Sequence, residues 1–327
     1  MDPLIEGAWC LQMAIDNQSE GPGYSINGES ILSACKNIAD NSTRTPVMSC
    51  SYLDKLSASP LVFKCENFQK SGSFKFRGAC NAVKTYRQDS YVTESSGNHG
   101  QALALAGSLA NSKVTVVAPL DAPVVKISAM EGYGATVLKV KPEDRAAESQ
   151  KIDAFLVHPS NDPHVMSGQG TLMVEFYAQC KDLDVVVVPI GGGGLASGVA
   201  VAAKLFGLVV IAAEPSLADD AFRSKQLGQI QGHRDNIIPS TMADGLRTTL
   251  GSNTWPIVRD LVDCIVTVDE EEISSAMRLL FERMKIVVEG SSATGLAAVL
   301  SPKFDPWRGK RIGIVLTGGN VSLKPNF

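Results

Sequence analysis

The sequence predicts an α/β protein built on parallel sheets. Short β-branched runs such as "DVVVVPI" (184–190) and "GLVVIAAE" (207–214) alternate with amphipathic helical patterns, and glycine-marked turns follow the runs. Taken in order, residues 1–24 end in the turn-rich "SEGPGYS" and predict a loose N-terminal extension. A helical pattern starts at Gly28, runs through Ile31, Leu32, Cys35 and Ile38, and is closed by Arg44-Thr45-Pro46. "LVFKCE" (61–66) reads as a strand, and after a short connection Phe76, Ala79, Cys80 and Val83 recur at helical spacing. "KVTVVAP" then predicts a strand, "APVVKISAMEGYG" a helix, "ATVLKV" a strand, "FLVHP" an extended segment and "GTLMVEFYAQC" a helix. Beyond the two runs already quoted, "CIVTV" leads into a long helix from Asp269 to Lys285, and "RIGIVLTGG" is the last strand.

A chain of 327 residues has room for two domains of ordinary size or one large one. Its net charge of -4, with no cluster of Lys and Arg, argues against a nucleic-acid partner. Seven scattered cysteines, none in a C-x-x-C pair, argue against a disulfide framework or zinc site and for a reducing compartment. No signal-peptide pattern opens the chain, and no apolar run approaches the roughly 20 residues of a membrane span. The expectation is a cytoplasmic protein with a small-molecule ligand.

Four short stretches carry chemistry. In "SGSFKFRGA" (71–79), Lys75 stands between Phe74 and Phe76 at the start of a helix. Desolvation there would favour the neutral amine, a nucleophile toward aldehydes, although an ordinary helix lysine satisfies the same nine residues. "VVVVPIGGGGLASG" (185–198) sets four glycines between a buried strand and a helix, which leaves backbone amides open to a phosphate. The same stretch meets a loose dinucleotide fingerprint at Gly191, Gly193 and Ala196, with Glu214 at a ribose-binding distance, so a nicotinamide (NAD) dehydrogenase stays open as a distant alternative. "TESSGNHGQALALAGSLA" (93–110) crowds Ser95, Ser96, Asn98 and His99 before a helix, more polar groups than one cap requires, and suits a carboxylate. "VLTGGN" (315–320) ends the last strand at the edge where such folds bind ligands.

Together, "SGSFKFRGA", "SSGNHGQA", "GGGGLASG" and "LTGGN" resemble, in order and approximate spacing, the serine racemase and serine/threonine dehydratase family of the fold-type II pyridoxal-phosphate enzymes. The likeness runs from about Thr45 to Val321. It implies a tryptophan synthase β-like fold of two parallel-sheet α/β domains, the small one (88–163) inserted in a large one formed by 25–87 and 164–327. It implies that Lys75 carries pyridoxal 5'-phosphate, with Phe74 beside it, that Gly191, Gly192, Gly193, Gly194 and Leu195 hold the phosphate, and that Asn98, Ser160 and Thr317 contact the ring. Lys75 and Ser96 become the two proton-transfer groups, with Ser95, Ser96, Asn98 and His99 receiving the substrate carboxylate and Arg145 and Thr248 lining the pocket. The implied reaction is racemisation of L-serine to D-serine, with β-elimination of serine or threonine to a 2-oxo acid and ammonia. A dehydratase without useful racemase activity is the near alternative.

The resemblance extends to effectors. "AAEPSLADD" is similar to the family's divalent-cation site, with Glu214, the Ala218 carbonyl and Asp220 as ligands for magnesium or calcium. Ser51, Tyr52, Lys70 and Ser71, with Gln101, Tyr133, Lys285 and Asn320, match a nucleotide effector site and imply ATP. A homodimer is expected with them. Two departures matter. Ser160 stands where racemases of the mammalian type have asparagine, which keeps aspartate open as the substrate, and Gly290 stands where proline is usual beside Glu289.

Overall fold

The computed structural model describes residues 3–16 and 23–321. Its strands are β1 (Val47–Met48), β2 (Leu61–Cys65), β3 (Ser90–Glu94), β4 (Lys113–Pro119), β5 (Thr136–Val140), β6 (Phe155–Leu156), β7 (Val185–Pro189), β8 (Val209–Pro215), β9 (Cys264–Val268) and β10 (Ile312–Leu316). A six-stranded sheet runs in the order β1-β2-β10-β7-β8-β9, and a four-stranded sheet in the order β5-β4-β3-β6. Among the described strands, β1–β2 pair antiparallel and all other pairs are parallel. All four strands of the smaller sheet fall between β2 and β7 in the chain, so the smaller sheet interrupts the larger one.

Burial on both faces explains why the large-sheet strands read as continuous apolar runs rather than alternating ones. In β7, Val186 and Val188 enter one core while Val185 and Val187 enter the other. In β8, Val210 and Ala212 oppose Ile211 and Ala213 in the same way. Because β10 lies between β2 and β7 and runs parallel to both, the turns leaving these three strands emerge at one edge. Those turns lead to Lys75, Gly191 and Thr317, which brings three distant stretches of sequence together.

The helix carrying Lys75 is held firmly. Lys75–Tyr86 crosses the Pro163–Gln179 helix so closely that a Cβ on Gly168 would lie 2.6 Å from the Gly78 Cα. Two residues past Lys75, the fully buried Arg77 donates Nε to Glu66 Oε2 and Nη2 to Glu66 Oε1, both at 2.8 Å, and reaches Glu175 Oε2 at 3.2 Å. Lys64 completes the cluster with its Nζ 2.5 Å from Glu175 Oε1. A buried network whose members are all paired fixes one arrangement, because removing a single partner strands a charge.

The N-terminal expectation is corrected. Residues 3–16 form a helix rather than a loose extension, with Leu4 and Leu11 buried and Glu6 paired to Lys181 at 2.8 Å. At Gly7 any Cβ would stand 2.4 Å from the Val174 carbonyl oxygen, so the glycine permits this close docking. Residues 17–22 of that expected extension lie outside the described residues. The long helix expected from Asp269 to Lys285 is α-helical over Glu270–Leu279, becomes a π-helix over Leu280–Met284, and ends at Lys285 with φ of 61°. No helix among the described residues is long and apolar enough to cross a membrane.

Candidate active site

A cavity of about 160 Å³ opens where the turns of the two sheets meet. Lys75 lines it and donates Nζ to the Pro159 carbonyl oxygen at 2.7 Å. Burial lowers the Lys75 pKa to about 8. The expected pair of rings is corrected to one. The Phe74 centroid lies 5.2 Å from the amine, whereas Phe76 turns into the core, where the Lys70 amine stands 5.8 Å from its ring.

Opposite, Gly191–Gly194 link β7 to the Gly194–Leu205 helix. No side chain caps that helix, and among the described residues the amides of Gly193, Gly194, Leu195 and Ala196 have no protein acceptor. Side chains are excluded here: a Cβ on Gly192 would meet Ser160 Oγ at 2.5 Å, and one on Gly194 the Ser160 carbonyl oxygen at 2.6 Å. Gly193 also has φ of 81°, the left-handed region. Uncapped amides at the start of a 12-residue helix make an anion cradle. Thr248 Oγ1 accepts from the Gly192 amide at 3.1 Å and supports the turn.

Thr317 also lines the cavity and lies 3.0 Å from Ser292 through their hydroxyls. Asn98 donates Nδ2 to both oxygens of Glu289 at 2.9 Å and accepts from Asn320 at 2.9 Å. Glu289 accepts a further bond from the Asn320 amide, and burial raises its pKa to about 7. Gly290 accommodates this geometry, because a Cβ there would come 2.6 Å from the Met242 carbonyl oxygen.

The Ser95–His99 turn forms the wall on the small-sheet side. The N-cap is Gly97, and Ser95 Oγ, two residues earlier, accepts from the amides of Gly97 at 3.2 Å and Gly100 at 3.0 Å. The half-buried Ser96 lines the cavity, and its hydroxyl has no partner among the described residues. His99 is buried beside it, with Nε2 3.4 Å from the Val157 carbonyl oxygen and Nδ1 unpartnered. Burial, reinforced by nearby Lys75, holds its pKa well below the usual imidazole value. Arg145 also lines the cavity, so every residue expected at the cofactor and substrate sites reaches this one space.

The sequence gives no role at this pocket to five of its polar lining groups. Lys126 and Asp244 form an ion pair of 2.6 Å that ties the small-sheet helix Val124–Gly132 to the turn Asp244–Leu246. Glu94, Ser291 and Glu289 complete the set. Each has meaning only beside residues far away in the chain. His158 is equally silent in the sequence: its Nδ1 accepts from the amides of Ser160 at 3.2 Å and Asn161 at 2.9 Å, so it shapes the loop that carries Pro159 and Ser160.

Glu214 does not line the cavity, and both its oxygens accept from amides, Ala221 and Phe222, at 2.8 Å. That removes it from the ribose role of the dinucleotide alternative. Asp220 is 1% exposed and leaves Oδ1 without a hydrogen bond. Burial raises both carboxyls, Asp220 to about 7 and Glu214 well above the usual carboxylate value, and the neighbouring Asp220 charge adds to the effect at Glu214. No group of three or more His, Cys, Asp or Glu side chains converges among the described residues, so a cation here would rest on two carboxylates and the buried Ala218 carbonyl. Of the candidate nucleotide residues, Asn320 donates to the Ser71 carbonyl oxygen at 2.8 Å, and the Tyr52 ring lies 4.2 Å from the Arg283 guanidinium. None of the eight lines the cavity.

Comparison with known proteins agrees with this geometry. The model of the family described as pyridoxal-phosphate dependent enzyme matches residues 38–318. The chain is 45% identical over 315 residues to the serine racemase of Dictyostelium discoideum, covering 92% of this chain and 97% of that one. The structure of maize serine racemase superposes with a TM-score of 0.89 at 42% identity, over 92% of this chain and 95% of that chain. A threonine deaminase from T.th. superposes with a TM-score of 0.87 at 38% identity, over 92% of this chain and all (100%) of that one.

Proposed function

The chain belongs to the pyridoxal-phosphate dependent enzymes, and from that premise we propose that it racemises L-serine to D-serine, with β-elimination of serine or threonine to a 2-oxo acid and ammonia as a second outcome. The observation that carries the proposal is one cavity bounded by a lysine amine with pKa near 8, an uncommitted serine hydroxyl and an open anion cradle. The residues fit the cofactor. Its phosphate would lie on the Gly193, Gly194, Leu195 and Ala196 amides, its aldehyde at Lys75, and its ring between Thr317 and Asn98, next to Phe74 and Ser160. When bound, pyridoxal phosphate supplies an electron sink that acidifies the α-hydrogen of an attached amino acid.

The protein's own groups supply the rest. A hydroxyl at Thr317 does not hold a ring nitrogen protonated as a carboxylate would, which moderates the sink. The Ser95–His99 turn offers amides and a helix N-terminus to the substrate carboxylate. Lys75, with its depressed pKa, is the base that takes the α-hydrogen, and Ser96 returns a proton from the other side. Loss of the β-hydroxyl before that return gives elimination, so one site yields both products. The similarity to a threonine deaminase supports this branch. A dehydratase without useful racemase activity is the alternative reading, and aspartate is the alternative substrate.

Incubation with L-serine in deuterated water, with cofactor and magnesium, tests the proposal. The expected products are D-serine carrying α-deuterium, together with pyruvate. Pyruvate alone would leave a dehydratase, and failure to form either would overturn the assignment.

The divalent cation belongs to the same proposal. Two neighbouring buried carboxylates are costly even with the His233 Nδ1 3.8 Å from Asp220 Oδ1, and magnesium or calcium would offset that cost. Saturating Mg2+ at a hundredfold excess over Kd is expected to stabilise by about 2.7 kcal/mol, an upward Tm shift of about 4 °C for a protein of this size. Scanning calorimetry checks it: Asp220→Asn should abolish the shift, and an unchanged shift in that variant would place the cation elsewhere. ATP at the Ser71–Asn320 side, a homodimer and a cytoplasmic location complete the proposal. The seven free cysteines support the last of these.

A further inference from the structure

Most charges facing the cavity are already committed. Asp244 is paired with Lys126, Glu289 accepts from Asn98 and Asn320, and Lys75 is bonded to Pro159. Glu94 and Arg145 differ. Glu94 ends β3 and uses one oxygen, Oε1, to accept from Ser149 at 2.7 Å. Ser149 lies on the Arg145–Gln150 helix, one turn beyond Arg145 and therefore on the same face. Arg145 uses only Nε, donating to the Pro142 carbonyl oxygen at 3.2 Å. Among the described residues, Glu94 Oε2 and the two terminal guanidinium nitrogens of Arg145 have no partner, and both residues line the cavity. The anchor at Ser149 keeps these two free ends on one wall.

We propose that Glu94 and Arg145 form the subsite for the substrate's β-substituent, and that Glu94 makes this enzyme select a hydroxyl over a carboxylate there. The inference rests on the amino-acid racemase reading and decides the choice that Ser160 left open. A group that satisfies both free ends must donate a proton to Glu94 and accept one from Arg145. A hydroxyl does both, whereas a carboxylate only accepts. Aspartate would satisfy Arg145 but set a second negative charge against the half-buried Glu94, a repulsion that a hydroxyl does not meet. Selection by an unpaired or repelled polar group discriminates more sharply than selection by size.

The test compares kcat/KM for L-serine and L-aspartate in the cofactor-loaded enzyme, wild type against Glu94→Gln and Glu94→Asp. The glutamine variant keeps an acceptor for Ser149, removes the charge and offers an N–H to a carboxylate. It is expected to raise the aspartate-to-serine ratio by about tenfold or more, equivalent to about 1.4 kcal/mol. Glu94→Asp retains the charge and is expected to keep aspartate excluded, which separates charge from any general disturbance of the site. A serine-selective wild type whose ratio is unchanged in Glu94→Gln would overturn this inference and leave the racemase reading intact. A wild type that prefers aspartate would overturn it directly. Inactivity on both substrates would overturn the proposed function and this inference with it.

Discussion

Replacing Lys75 by alanine is expected to abolish racemisation and elimination together, with a loss of at least about a thousandfold in kcat, because both begin with the proton this amine removes. The anion cradle is built from backbone amides, so the variant should still bind pyridoxal phosphate, without the covalent link. The pH dependence of loading gives a second readout. With the pKa lowered to about 8 by burial, about a tenth of the amine is neutral at pH 7, against about one part in three thousand at 10.4–10.5. Cofactor uptake by the unloaded protein should therefore rise tenfold per pH unit below about 8 and level off above it. Absorbance of the protein-linked cofactor measures this directly. A rate still climbing beyond pH 9.5 would mean an unperturbed lysine, and pyruvate formation by Lys75→Ala within tenfold of wild type would remove Lys75 from the proton-transfer role.

Much of this site was legible because its parts are local. Four consecutive glycines after a buried strand announce open amides, and a serine and asparagine cluster beyond one cap's need announces spare polar groups. What stayed hidden depends on tertiary contact. Lys126 and Asp244 look like ordinary surface charges until a helix of the small sheet meets a turn of the large unit. Phe74 and Phe76 are symmetric about Lys75 in sequence, but the first residues of a helix point in different directions, and only one ring stays with the amine. The N-terminal helix was obscured by Gly7, whose cost to an isolated helix is offset by docking on Val174. His158 carried no pattern because its work is to accept two backbone amides in its own loop.

The second large effect should split the two activities. Ser96→Ala is expected to lower D-serine formation by about a hundredfold or more, the usual worth of a positioned acid, while pyruvate formation stays within a few-fold of wild type or rises. The reason lies in the order of events: Lys75 removes the α-hydrogen in either variant, and without a proton returned from the far side the deprotonated α-carbon loses its β-hydroxyl instead. Structural disturbance should be small, since the Ser96 hydroxyl has no protein partner among the described residues whose loss would strand a buried group. Ser95→Ala provides the contrast. Its Oγ accepts from Gly97 and Gly100, so its removal should cost about 1 kcal/mol in lost hydrogen bonding and depress both products alike by loosening the carboxylate turn. Chiral chromatography of serine alongside a pyruvate assay separates the cases. Equal loss of both products in Ser96→Ala would make that hydroxyl a substrate-binding group and leave the far-side proton to another residue of the wall.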